Sequence, residues 1–425
     1  MMCMPDNEPG NFKLIRAARL IDGTGAPPLE RAAILLDGDK ITALGTEEAV
    51  HAPEGADAQE FDYGEKTIMP GLVDCHVHLN GMGDGRAGDE LATLPDEVLT
   101  LQAARNARAH LYSGVTTLRD CGGKNRTTFR LREAMDMGIT EGPRLVLSGR
   151  PIAIVGGHLS YFGVAATGVD ECRAAVRQLV KEGADFIKIT ATGGSTRTSF
   201  PLRPSFNVDE LTAICDEAHK FGKHAAAHCA STQGMANALE AGVDTIIHAL
   251  FKEPDGSDLF RPALAEEIAR KGVFVNATLH NSRHLVWRLE AKLEEYGLSP
   301  QELDELDDLR RSREAIIDAF GRMRDLGVRV VCGSDSSWNF YPMGGFQHEI
   351  TAHVETGMST MDAIVASTGE SAQSCWIDDT IGTLEVGKQA DVLIIDGNPL
   401  EDINTLWNVA DVFQAGDHVD RGNFI

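Results

Sequence analysis

The chain has 425 residues, is 43% hydrophobic and 24% charged, and carries a formal net charge of −25. That composition is ordinary for a globular enzyme, and the negative balance excludes nucleic acid and anionic membrane as expected partners. No stretch approaches the ~18 consecutive apolar residues of a membrane-spanning helix.

The opening MMCMPDNEPGN turns polar by Pro5 and shows no apolar leader segment. Residues 12–67 then carry short alternating segments with turn residues, FKLIRAARLIDGTG and AAILLDGDKITALG, which predict the strands of a small sheet. From residue 68 the texture changes. Apolar β-like runs occur at 71–76, 115–118, 144–148, 185–190, 224–228, 244–248, 273–278 and 328–333. Most are followed by charged segments of helical period, such as 171–183 and 209–221. Continuous apolar strands covered by helices predict a parallel sheet. Eight such units predict an α/β fold, a closed (β/α)8 TIM barrel.

Residues 284–314 stand apart as a helical hairpin broken at Gly297–Pro300. It is read either as a cap over the barrel mouth, offering Leu285, Val286, Trp287 and Leu289, or as a surface pair. Residues 380–425 return to the alternating texture with TIGTLEVGKQADVLIIDGNPL. The expected organisation is a small β-sandwich domain formed from both chain ends, residues 1–67 and 380–425, interrupted by a catalytic barrel over 68–379. Of the eight cysteines, Cys75, Cys121, Cys229 and Cys332 lie in apolar segments like small core residues. A reduced, cytoplasmic protein is expected.

The chemistry-bearing residues fall at the ends of the predicted strands. His76 and His78 end the first, and side chains two apart on a strand share a face, so both imidazoles can reach one metal. Lys188 sits inside the apolar fourth strand, where an ammonium is costly. His228 ends the fifth strand, His248 the sixth, and Asp335 follows the eighth in CGSD. In a TIM barrel these ends converge on the catalytic face. The loops supply substrate-facing candidates. They are His158, Tyr161 and Phe162 after the third strand, Arg197 and Arg203 after the fourth, and His280 and Arg283 after the seventh. Gly193-Gly194 permits a close backbone approach.

The order HxH, Lys, His, His, Asp resembles the amidohydrolase superfamily, specifically its binuclear members with a carbamylated lysine. TIMPGLVDCHVHL, GVTTLRD and GTLEVGKQADVLIIDGNPL carry the likeness over nearly the whole chain. GGHLSYFGVAATGVDECRAAV, IKITATGGSTRT and AAHCASTQGMANALEAGVDTIIHAL are similar to the branch holding prolidase-like dipeptidases and phenylurea and molinate hydrolases. Ala230 stands where prolidase-like members carry a tyrosine, so the nearer likeness is to the phenylurea and molinate side.

The resemblance implies two divalent metals, zinc foremost, with manganese or cobalt as alternatives, and carbon dioxide carried as a carbamate on Lys188. His76, His78, carbamylated Lys188 and Asp335 are implied to hold the deeper ion, and carbamylated Lys188, His228 and His248 the other. The implied reaction is hydrolysis of a C–N bond in a small amide, urea or carbamate by a hydroxide between the metals. Asp335 passes the proton, and His158 joins it as a catalytic or substrate-binding group. The alternative is a prolidase-like dipeptidase or N-acyl-amino-acid hydrolase. Lys188 speaks against a mononuclear deaminase, and the complete ligand set against a non-catalytic scaffold. A small-molecule substrate and a homo-oligomeric assembly are expected.

Overall fold

The computed structural model describes residues 11–422. The leader reading at residues 1–10 and the extreme ends of the expected two-part small domain lie outside them. All eight barrel strands predicted from the apolar runs are present: Leu72–Val77, Val115–Asp120, Arg144–Leu147, Ile187–Thr190, Ala225–His228, Thr245–Ile247, Phe274–Asn276 and Val330–Val331. Nearly every residue in them is buried, the pattern of strands covered on both faces.

The strands pair in parallel as two arcs. The first three form one, and the remaining five form the other. Backbone hydrogen bonds close the ring at both joints. Asp185 N donates to Leu147 O at 2.8 Å, Cys75 N to Cys332 O at 3.2 Å, and Asp335 N to His76 O at 2.7 Å. The result is a TIM-barrel-like fold. The third strand is shorter than its apolar run. It breaks before Pro151, which has no N–H to donate, and a two-residue strand, Ile152–Ala153, resumes the pairing against Ile189.

The helices between strands begin where side chains satisfy their first free N–H groups. Asn207 and Glu210 form a reciprocal capping box ahead of Val208–Lys220. The hairpin is longer than 284–314 and runs as two helices, Leu279–Tyr296 and Pro300–Asp325. Gly297 turns the chain at φ +76°, and a second capping box, Ser299 with Glu302, restarts it.

Both chain ends contribute to one eight-stranded sheet. Its order runs from Asp417–His418 through Val409–Gln414, Val392–Ile395 and Thr67–Pro70 to Phe12–Leu20, Leu29–Asp37 and Lys40–Thr46, and the eighth strand, Ala58–Asp62, pairs with Phe12–Leu20 off this path. Period-two alternation gives the strand Val392–Ile395 two apolar faces. Val392 and Ile394 pack with Ile15 and Ile34, whereas Leu393 and Ile395 join the barrel core with Leu72 and Val412. Arg144 ties the two parts together through Asp391 at 2.7 Å. The described cysteines are all buried and unpaired. No helix among the described residues is long and apolar enough to cross a membrane.

Candidate metal centre

Six side chains from five strand ends meet at the C-terminal mouth of the barrel. His76, His78 and Asp335 form the tightest group, with one ligand atom from each lying within 4.8 Å of the others. His76 Nε2 stands 3.4 Å from His78 Nε2, and Asp335 Oδ1 is 3.4 Å from the first and 3.5 Å from the second. Lys188 Nζ lies 3.4 Å from His76 Nε2. His248 packs on His76 with ring centres 5.5 Å apart and on His228 at 4.5 Å. The sequence order therefore becomes one spatial cluster.

Each imidazole has one nitrogen engaged by a fixed partner. His76 Nδ1 lies 2.9 Å from Asn276 Oδ1, His78 Nδ1 2.9 Å from Gly122 O, His228 Nε2 2.9 Å from Gly193 O, and His248 Nδ1 2.8 Å from Thr278 Oγ1. For His76, His78 and His228 the partner is a carbonyl oxygen, which makes the engaged nitrogen the N–H and leaves the other as a lone pair, the arrangement that prepares histidine for a metal. The Thr278 hydroxyl can serve His248 in either role. Burial, reinforced by the Lys188 charge, lowers all four basicities, His78 to about 3. That direction favours the neutral form that ligation requires.

Backbone strain marks the same places. His248 (φ +67°), Thr278 (φ +51°) and Asp335 (φ +54°) occupy left-handed conformations rare for residues with a side chain. Gly333 lets the chain pass behind His76, because a Cβ there would fall 2.8 Å from the His76 Cβ. The close approach expected of Gly193-Gly194 is present too. Gly193 O receives His228, and a Cβ on Gly194 would stand 2.6 Å from the His158 ring.

Lys188 is 1% exposed and makes no ion pair among the described residues. Burial lowers its amine from the ordinary lysine value, with Cys121 and Asp335 opposing. Burial likewise raises the Asp335 carboxyl to about 7, against the pull of Lys188 and the Asn281 hydrogen bond. Four imidazoles, one carboxylate and one desolvated amine without a direct ion pair among the described residues form a donor set that fits divalent cations.

A cavity of about 520 Å³ opens over this cluster. His158 and Tyr161 line it as expected. The His158 ring packs on His228 at 4.5 Å, its Nδ1 is 3.2 Å from Thr196 Oγ1, and burial lowers it to about 3. Phe162 lies behind Tyr161 and stacks toward Trp338. Arg197 reaches the rim, exposed to solvent.

Besides Phe162, three of the loop candidates fall outside the cavity. Arg203 is exposed and sits over the Phe200 ring at 5.0 Å. His280 and Arg283 occupy the far side of their helix. His280 stacks on His348 at 4.5 Å and accepts from Arg283 Nε at 3.0 Å, and Arg283 is bound to Glu355 at 2.9 Å. The helix turn instead presents Asn281, Ser282 and Leu285 to the cavity. The hairpin is a wall of the site through Leu285, Leu309, Ser312 and Ile316. Val286 and Leu289 pack against Leu306 within the hairpin, and Trp287 lies beneath Arg283.

Sequence reading missed Asn276, Thr278, Asn281 and Trp338. Asn276 carried a signal, since a polar side chain in the apolar run VFVNAT needs a partner. Trp338, three residues past Asp335, packs on His78 at 5.2 Å.

Imidazoles, a carboxylate and a buried lysine gathered at the strand ends of a parallel barrel suit a hydrolase that works with divalent metal. The chain matches the amidohydrolase family over residues 67–419 and belongs to it. It is a hydrolase acting on carbon–nitrogen bonds. It is 28% identical over 420 residues to an ochratoxinase of Aspergillus niger, covering 92% of this chain and 82% of that protein. An Xaa-Pro dipeptidase solved with methionine in its active site superimposes with a TM-score of 0.81 at 28% identity, covering 96% of this chain and 100% of that one. Phenylurea hydrolase B shares the fold with a TM-score of 0.80 at 22% identity, covering 97% of each chain.

Proposed function

We propose that the protein hydrolyses the C–N bond of a small amide, urea or carbamate at a centre of two divalent ions, with Lys188 carried as a carbamate. One observation carries this reading. Four imidazoles each spend one nitrogen on a fixed partner, in a cluster that also holds Asp335 and the Lys188 amine. His76, His78 and Asp335 would hold one ion and His228 and His248 the other, with carbamylated Lys188 between them. Nitrogen and oxygen donors suit zinc, with manganese or cobalt as alternatives. Such ions supply Lewis acidity toward a carbonyl oxygen and a lowered pKa for water.

The chain's own residues do the rest. Burial favours the neutral Lys188 amine, whose lone pair bonds to the carbon of carbon dioxide and whose proton is released to solvent, leaving an anionic oxygen donor. Asp335 takes a proton at its carboxylate and returns it to the departing nitrogen, which would otherwise leave as a poor amide anion. His158, beside His228, is placed to meet the substrate carbonyl side. Tyr161, Trp338, Leu285, Leu309 and Ile316 give the cavity an apolar wall that suits a ring or alkyl group. The free cysteines suit a reducing cytoplasm, and a homo-oligomer remains the expected assembly.

The test is a side-by-side assay of aryl ureas, carbamates, anilides, N-acyl amino acids and Xaa-Pro dipeptides with metal-loaded enzyme. Turnover of the first three supports the reading. Turnover confined to free carboxylates, with KM raised sharply by Arg197→Ala, establishes the dipeptidase or N-acyl-amino-acid alternative. The Xaa-Pro dipeptidase likeness and the position of Arg197 favour that second reading.

A further inference from the structure

We propose that Asn281 is a positioning residue that assigns separate tasks to the two oxygens of Asp335, an inference that rests on the hydrolase reading above. Oδ1 of Asp335 faces the imidazoles, 3.4 Å from His76 Nε2 and 3.5 Å from His78 Nε2. Oδ2 accepts a 2.8 Å hydrogen bond from Asn281 Nδ2. The two oxygens are equivalent until a neighbour distinguishes them, and the torsion that swings a carboxylate is broad, so the backbone alone does not fix the plane of the group. The Asn281 tether does.

Asn281 is itself held. It lies in the first turn of Leu279–Tyr296, whose opening N–H groups, those of Leu279 and His280, donate to the buried Glu349 at 2.8 and 2.7 Å. Glu349 also meets His353 Nε2 at 3.1 Å. Thr278, just before that turn, contacts His248 Nδ1 at 2.8 Å. One short segment thus fixes both an imidazole and the carboxylate across the site from it. A carboxamide suits the task, because it donates a hydrogen bond and does not titrate in the working pH range.

Three variants test this with the full-length enzyme. Asn281→Leu keeps the approximate volume and removes the donor. It is expected to lower kcat about tenfold to a hundredfold, the worth of a hydrogen bond to a charged group, with KM little changed. Asn281→Asp sets a like charge against Oδ2 and lowers kcat further. Asn281→Gln keeps the carboxamide and restores part of the loss. A residue acting only as cavity wall would move KM instead and would rank the three by size. A second readout needs no substrate: in crystals of Asn281→Leu, the Asp335 carboxylate turns away from the orientation described here. An unchanged Asp335, or an Asn281→Leu enzyme with wild-type kcat, overturns the proposal. A wild-type enzyme inactive on every amide, urea and carbamate overturns the hydrolase reading instead, and the crystal result still decides the role of Asn281.

Discussion

Thr278 Oγ1 lies 2.8 Å from His248 Nδ1, and both residues are held in left-handed backbone, at φ +51° and +67°. Neither conformation is the one a β-branched or aromatic side chain prefers. The contact holds the His248 ring in one orientation against Thr278.

Removing such outer partners is therefore expected to weaken metal binding without unfolding the barrel. Thr278→Val and Asn276→Leu should each cost about ten- to a hundredfold in metal affinity, the usual worth of a ligand's hydrogen-bond partner. Competition with a chromogenic chelator measures it, and wild-type affinity in both variants would show the partners to be idle.

The fully active enzyme is expected to hold about two divalent ions per chain, removable by chelation, as ligand sets of this type bind a bridged pair. His76→Ala and His228→Ala should lose most activity while keeping a wild-type circular dichroism spectrum. Elemental analysis showing a single ion at full activity would refute the pair.

Reconstitution of metal-free enzyme should go faster with added bicarbonate, the result expected of the proposed carbamate on Lys188. Lys188→Ala should be inactive, with partial recovery in short carboxylic acids that fill the vacated space. Intact mass cannot report a labile carbamate, so the direct readout is electron density at the Lys188 amine.

Asp335→Asn should retain metal and lose on the order of 10²–10⁴ in turnover, the range for acid–base groups. Near-normal turnover would require another proton carrier.

A pH prediction follows from Glu217, buried among Arg177, Arg173 and Lys220. The hydrogen bond from Arg177 leads in lowering its carboxyl to about 2 from an ordinary 4.5. A depressed acid stabilises the fold fully above its unfolded value and loses that contribution as pH falls through the folded one. The Tm gap between wild type and Glu217→Gln should accordingly be largest at neutral pH, shrink below about pH 4.5 and vanish near pH 2. A gap independent of pH would assign the effect to packing.

Much of this site was legible because it is written in strand ends. His76, His78, Lys188, His228, His248 and Asp335 each follow or interrupt an apolar run, and a closed parallel barrel leaves only one place for such ends to meet. The loops were not legible in the same way. His280 and Arg283 looked like pocket residues by their distance from the seventh strand. Helical phase, which puts adjacent residues on different faces, turned Asn281 and Leu285 inward in their place. Arg203 and Arg197 were indistinguishable as letters, and the path of the loop separated them. Asn276 could have been suspected from its apolar surroundings. Trp338 could not, because its role depends on the ring of His78 across the barrel seam.

The end-to-end sheet has a consequence for synthesis. Thr67–Pro70 leads directly into the strand that carries His76, yet its neighbour on one side is Val392–Ile395. A ribosome must therefore finish almost the whole protein before that strand, already paired with Phe12–Leu20, gains its second neighbour and before Leu393 and Ile395 can join the barrel core. A nascent chain stalled near residue 380 is therefore expected to leave apolar surface of the barrel uncovered, the condition that invites chaperones. The last strands to emerge complete the sheet that leads into the strand carrying His76.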